Sequence, residues 1–461
     1  MRIKNKPENT QKQVKGSGSR FISILSVILF FCCGITAISW AETSNITLES
    51  FLSLVKRNSK DLKLAKKELD MAKVYKKEAL ATALPSLIID ANYKRNLKDI
   101  FLFIDFPDFE TGEMTNQKFK INYKNEYGLS AVLSQTIFSF KVGTALKAAK
   151  QYKKITDFVY KAADKAVITI AKKAFYQTLL LEKLWEVTKA SQQNAHENYL
   201  NVKKKYDNGQ VSQFKLLQAE VRWENIIPET IKARRNFELA INSLKNLAGI
   251  PIDREISLTG DLEHYPPLPA KVQLDFVLNN RPDYNALLWE ERLRGTAVKS
   301  ESAERYPSLN LNFIYNFSSL SDHFKFERQN KSYILGLNLS FPLYTGGYRE
   351  AQIRKAKIEL DKSRIKIEQQ RDKIDNQVRN IYLRLEEAQK RILSGKKSLQ
   401  TAKKAFEIAQ ISADNGLATQ LELKDIRVLY DQATLNCYAS VCDYLSAYFD
   451  WEQATGKDNA E

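Results

Sequence analysis

Four short stretches of the chain alternate apolar with polar residues, and each pair of them opens onto a helical pattern far longer than a compact domain holds. In residues 307–317, Leu309, Leu311, Phe313, Tyr315 and Phe317 alternate with Ser308, Asn310, Asn312, Ile314 and Asn316. The next run sets Tyr333, Leu335, Leu337, Leu339 and Phe341 against Ile334, Gly336, Asn338 and Ser340. Earlier in the chain, Leu87, Ile89, Ala91 and Tyr93, then Tyr127, Leu129, Ala131 and Leu133, follow the same scheme. A period of two puts one set of side chains on each face of a strand, as in any one-faced antiparallel sheet. Each run is also close to the roughly 9–11 residues that a tilted strand needs to cross a bilayer. Four such strands leave two open edges and are fewer than the eight of the smallest single-chain barrels. The sheet is therefore expected to close by joining other chains, and three copies would give twelve strands.

The helical pattern predicts rods. Residues 345–415 hold no proline, and apolar or small residues recur at sevens through Ile353, Leu360, Ile367, Ile374, Ile381, Ala388, Gly395, Ala402 and Ala409. A second rail runs through Val378, Leu385, Ile392, Leu399, Phe406 and Ala413. Two rails three and four apart define a coiled-coil seam, and about seventy residues at 1.5 Å each reach about 100 Å. A weaker copy lies in residues 141–208 through Val167, Ala174, Leu181, Thr188, Ala195 and Val202.

The chain is written twice. Leu84-Pro85-Ser86-Leu87 recurs as Tyr306-Pro307-Ser308-Leu309, and Asp207-Asn208-Gly209 recurs as Asp414-Asn415-Gly416, at offsets of 222 and 207 residues. The first copy thus carries about 15 additional residues, assigned to the loop at 98–120. The expected order is a signal segment 1–41, a first repeat 42–250 (hairpin 85–138, long helix 141–208, return helix 212–247), a connector 251–283, and a second repeat 284–461 (hairpin 307–344, long helix 345–415, return helix 419–454). Pro228 is expected to interrupt and bend the first return helix.

Composition changes this picture only at the start. Six basic residues and one acid precede an apolar run at 21–38 and Ser39-Trp40-Ala41, the layout of a secretory signal cleaved after Ala41. An uncleaved membrane anchor is the other reading of that run. Cleavage lowers the net charge from +17 to +12. Lys and Arg are strewn along helical faces, and export makes a nucleic-acid partner implausible. Cys437 and Cys442 are five apart in a helix, on different faces, and are expected to pack as small apolar groups. His196, His264 and His323 share no ligand spacing, and no nucleophile motif appears. Neither a metal, a cofactor nor catalysis is expected.

At this point the residues resemble the TolC family of outer-membrane efflux and secretion channels. The resemblance rests on Ile46-Thr47-Leu48-Glu49-Ser50-Phe51, Leu84-Pro85-Ser86-Leu87, Asn280-Arg281-Pro282-Asp283 and Phe341-Pro342-Leu343-Tyr344-Thr345-Gly346-Gly347, in family order, together with the two Gly turns. The implied fold class is an α+β membrane protein, internally duplicated, giving four strands to a trimeric transmembrane β-barrel above a long antiparallel coiled-coil tube across the periplasm. The implied partners are two further copies, outer-membrane lipid, and a periplasmic adaptor with its inner-membrane pump. Pro342, Tyr344, Gly346 and Gly347 match the family's turn from barrel to tube. Gly209, Val211, Ser212, Gly416, Leu417 and Thr419 match its adaptor-facing tips, and Glu422 and Asp425 its periplasmic gate.

Three departures qualify the match. The first barrel exit, Thr136-Ile137-Phe138-Ser139-Phe140, lacks the glycine pair; Lys215 stands where an acid can; and Ala418 replaces a basic residue able to latch the acidic pair. A periplasmic adaptor and an anchored coiled-coil protein remain rival expectations. The first requires one helical hairpin rather than two, and the second leaves the strands unexplained.

Overall fold

The computed structural model describes residues 44–107, 110, 112, 114–415 and 417–457. The expected signal segment and Gly416 lie outside them. Two short helices, α1 (Leu48–Asn58) and α2 (Lys60–Ala81), lead from strand β1 (Ser44–Thr47) to β2 (Ser86–Arg95). After β3 (Phe101–Pro107), β4 (Met114–Lys120) and β5 (Asn125–Phe138) comes the 68-residue helix α3 (Phe140–Asp207), which returns as α4 (Gln213–Ala248). The second half repeats the plan. β6 (Ile256–Thr259) and α5 (Leu274–Asn280) precede α6 (Pro282–Ala303), β7 (Ser308–Ser321), β8 (Arg328–Ser340), the 67-residue α7 (Tyr348–Asp414) and α8 (Gln420–Thr455). Among the described residues no helix is long and apolar enough to cross a membrane.

The main sheet has the antiparallel order β2-β5-β7-β8. Its register aligns one apolar face: Leu87 opposes Leu133, Leu133 opposes Phe313, and Phe313 opposes Leu335. The next level outwards reads Ile89, Ala131, Tyr315 and Tyr333. Leu335, Leu337 and Leu339 are 67–71% exposed. In water, leaving three leucines out of a core forgoes roughly 1.5–3 kcal/mol each, so this face needs an apolar environment of its own.

Two features differ from the sequence expectation. Residues 98–120 form no plain loop: β3 and β4 pair as a separate two-stranded sheet, with Leu102 opposite Phe119 and Phe103 opposite Lys118. Aromatic and branched residues favour strands, and Lys118 lies over the Phe101 ring at 3.8 Å. Pro228 does not interrupt α4, which runs unbroken through it. Proline forfeits one backbone bond, and Thr230 anchors the next turn, donating to the Ile226 and Thr188 carbonyls at 3.1 and 3.3 Å.

The core sits in the middle of the rods. Phe51 and Val55 of α1 pack on Ala171, Phe175 and Leu179 of α3 and on Leu244 of α4. Ile381, Leu385, Ala388 and Ile392 of α7 pack on Val441, Tyr444 and Leu445 of α8, so burial of the heptad rails is densest along this central stretch. Cys437 and Cys442 are free and buried there. β1 pairs in parallel with β6, tying the start of the chain to the connector.

The Asn280-Arg281-Pro282-Asp283 segment acts as a fastener. Pro282 sits at the first turn of α6, where its missing N–H costs nothing. Arg281, 8% exposed, donates to Asp283, to Gln377 of α7 and to the Ala454 carbonyl at the end of α8. Burial raises the Asp283 pKa, but the guanidinium outweighs it and holds the carboxyl below its ordinary 3.8. That stabilisation is complete above pH 3.8 and disappears as pH falls through the lower folded value. Arg281→Met is expected to cost roughly 2 kcal/mol, less than a fully buried pair because Asp283 keeps contact with solvent. Thermal loss of helical circular dichroism measures it, and Arg281→Met/Asp283→Leu is expected to recover part of the loss.

Candidate functional site: helical tips, barrel exit and inner face

The second tip is built around one cap. Thr419 precedes α8, and its hydroxyl accepts from the Glu422 N–H at 3.2 Å while the Glu422 carboxylate accepts from the Thr419 N–H at 2.7 Å. This capping box satisfies two N–H groups that the helix start leaves unpaired. The Thr419 N–H and then its hydroxyl hold the Glu422 pKa below 4.5. Ser412 accepts through its carbonyl from Leu417 and Ala418, closing the end of α7, and Leu417 stands 83% exposed.

At the first tip Gly209 has φ +70°, the left-handed conformation that glycine adopts without strain, and its N–H reaches the Tyr206 carbonyl at 2.8 Å. Gly209 and Ser212 are exposed, Val211 is half-buried, and Ser212 begins α4 without a side-chain cap. Phe214 next to it is 74% exposed. Both tips therefore present apolar side chains outward.

The two acidic candidates have different partners. Glu422 is engaged in the cap, whereas Asp425 faces Arg222 of α4 at 3.8 Å. The family resemblance puts a latching basic residue where Ala418 stands; the basic partner of Asp425 is instead Arg222, about two hundred residues away in the chain. Lys424 completes the group. It is half-buried, and burial followed by the nearby Arg222 charge brings its pKa down to about 8, with Asp425 opposing.

The two turns from sheet to long helix are built differently. Gly346 and Gly347 take φ +62° and +79°, and Arg349 donates back to the Pro342 carbonyl at 3.3 Å. Tyr344 is 87% exposed. At the first exit, aromatic stacking serves instead: Phe138 meets Phe140 at 5.0 Å, and Phe140 meets Tyr306 at 4.8 Å. Tyr93 and Tyr127 pair at the other end of the same face, so aromatics stand at both of its ends.

The opposite face of the sheet is polar. One level reads Asp90, Ser130, Asn316 and Ser332, and another Ser86, Ser134, Asn312 and Gly336. Among the described residues no cluster of His, Cys, Asp or Glu is arranged to hold a metal.

A sheet apolar on one face and polar on the other, set on paired rods, is the architecture of one known group. The model of the outer membrane efflux protein family matches residues 51–250 and 274–456. The chain belongs to that family. Members of it are passive outer-membrane channels and not enzymes. The alkaline protease secretion protein AprF of Pseudomonas aeruginosa is 20% identical over 307 residues, 66% of this chain and 62% of the relative. Outer membrane protein TolC of Escherichia coli K12 is 21% identical over 260 residues, half of each chain. The chain thus spans about half to three-fifths of the length of these curated relatives. Its fold matches the Campylobacter jejuni CmeC outer membrane channel with a TM-score of 0.74 at 19% identity, over 98% of this chain and 94% of that one. The open state of the Neisseria gonorrhoeae MtrE outer membrane channel matches at 0.69 and 18% identity, over 89% and 88%.

Two outcomes follow for the second tip. Thr419→Ala is expected to cost about 1 kcal/mol of local helix stability, seen as faster amide exchange over residues 420–426. Because the folded Lys424 releases its proton before the unfolded one, protection of the same amides is expected to rise between pH 8 and pH 10.5. Lys424→Gln is expected to flatten that rise.

Proposed function

We propose that three copies of this chain join β8 of one to β2 of the next, closing a twelve-stranded outer-membrane barrel over a helical tube that crosses the periplasm. The observation that carries this reading is the pair of open edges. β2 and β8 each pair on one side only, on a sheet whose apolar face suits lipid, and hydrocarbon does not tolerate unpaired backbone. The junction already present inside the chain supplies the rule, since β5 of the first repeat pairs with β7 of the second. A β8–β2 junction between copies would be its continuation. The number three comes from the family resemblance.

The helices support the same closure. α6 packs on both α3 and α7, whereas its counterpart α2 packs on α3. Leu64, Met71 and Val74 of α2 are 47–66% exposed, the surface expected to meet α7 of a neighbouring copy.

The duct is passive, serving efflux or secretion. The tips at Gly209, Val211 and Ser212 and at Gly416, Leu417 and Thr419 would dock a periplasmic adaptor, which links the tube to an inner-membrane pump. Asp425 and Glu422 would line the narrow periplasmic end, with Arg222 holding Asp425 against α4. Three sets of these carboxylates near one axis would favour cations. Nucleic acid is no partner, and the basic charge is a solvated helical surface.

Membrane fractionation, native mass spectrometry and planar-bilayer recording of the full chain test this reading. Outer-membrane location, the mass of three copies and unitary currents are expected. A monomer confined to the inner membrane and without currents overturns it. In the Glu422→Gln/Asp425→Asn channel the preference for cations is expected to disappear, and unchanged selectivity removes these two residues from the gate.

A further inference from the structure

The polar face of the four-stranded sheet carries one apolar row. Ile88 stands opposite Val132, Val132 opposite Ile314, and Ile314 opposite Ile334, so four β-branched side chains line up at one level across β2, β5, β7 and β8. The levels directly above and below hold only Asp, Asn, Ser and Gly. Ile88 and Ile334 are 57% and 50% exposed, so the row is not part of a core. Period-two geometry places it on the face opposite the lipid-suited leucines.

A charge stands beside it. Asp90 follows Ile88 by two positions, hence on the same face and roughly 7 Å further out along β2. The remaining charges of this face, Lys94, Glu126 and Arg328, share its outermost level, where Lys94 pairs with Glu126 at 3.3 Å. Asp90 has no ion pair among the described residues.

We infer that Ile88, Val132, Ile314 and Ile334, together with Asp90, form a wall site for organic cations bearing alkyl or aryl groups, met by cargo as it crosses the barrel. Water covers the polar levels, and this row is the one continuous apolar strip on the face on which apolar surface can leave water; Leu320 stands alone at the outermost level. Asp90 attracts the positive centre of the same molecule and repels an anion of equal apolar size. A small hydrated cation gains from Asp90 but not from the row. The site exists only if this face lines a pore, so it rests on the channel proposed above.

Block of the unitary potassium current in planar bilayers tests it, with each blocker added at the barrel mouth of the full-length channel. Tetrabutylammonium is expected to half-block the wild type at a concentration at least tenfold below tetramethylammonium and below benzenesulfonate. In Ile88→Ser/Ile334→Ser the two ammonium ions are expected to come within twofold of one another. Asp90→Asn is expected to weaken tetrabutylammonium at least threefold while its advantage over tetramethylammonium persists. Should the serine variant fail to insert, Asp90→Asn decides alone. A conducting wild type that does not discriminate, or variants that block as the wild type does, overturn the wall site and leave the channel standing. A wild type without any current overturns the channel itself and the site with it.

Discussion

Backbone groups that enter hydrocarbon must find partners within protein, and the order β2-β5-β7-β8 leaves one side of β2 and one side of β8 unmet. That debt governs the rest of the molecule. A soluble four-stranded sheet can shield its edges with charge, proline or a covering helix. Here the faces rule that out, because the leucines of β8 stay exposed on the side where water would act. The ring proposed above would complete the sheet. The duplication would make such a ring simple to build, since each hairpin repeats the relation of the one before it.

The rods obey the same logic through seams instead of edges. A helix of 67 residues that is polar on most of its circumference cannot stand alone. Along its centre α7 buries Ile374, Ile381, Leu385 and Ile392 against α8 and α5. Nearer the tip, Leu399 and Phe406 are only half-buried within one chain, and Ile408 and Ile411 are 65% and 63% exposed. Stability is thus concentrated where the chain packs on itself, at the level of α1, α5 and the end of α8. The tips hold by caps, ion pairs such as Arg222–Asp425 and Arg427–Asp431, and stacked rings such as Phe406 on Tyr430. Local opening draws on regions of low stability, and this gradient puts them at the tips.

Much of this plan was legible in the sequence because it is periodic. Alternation in residues 307–317 and heptads through Ile353 to Ala409 each encode a local geometry that repeats many times, and the repeated Pro-Ser-Leu and Asp-Asn-Gly landmarks order the pieces. What escaped was set by single contacts between distant residues. Nothing near Asp425 in the chain points to Arg222, and nothing in residues 256–259 points to a strand that needs β1 as its partner. The β3–β4 sheet was missed because Phe101, Leu102, Phe103 and Ile104 are apolar in succession, which hides the period of two. Glu422 carries a capping role with a local cause that the sequence reading did not include. A Thr with Glu three positions later is a capping signature, and weighing the pair of acids on one face obscured it.

The capping role bears on how the second tip is wired. The Glu422 carboxylate accepts from the Thr419 N–H, so it organises the start of α8 beside its neighbour Asp425. Asp425, 62% exposed and one turn further along, is the carboxylate left to respond to its surroundings. Its neighbours are two cations of unequal character. One is the guanidinium of Arg222; the other is Lys424, whose pKa burial brings down to about 8. When Lys424 is charged it competes with Arg222 for Asp425, and when it is neutral the Arg222 tie is uncontested. The contact between α4 and α8 therefore strengthens with rising pH. This sets it apart from a latch made only of carboxylates and arginines, which would weaken in acid and ignore mild alkali.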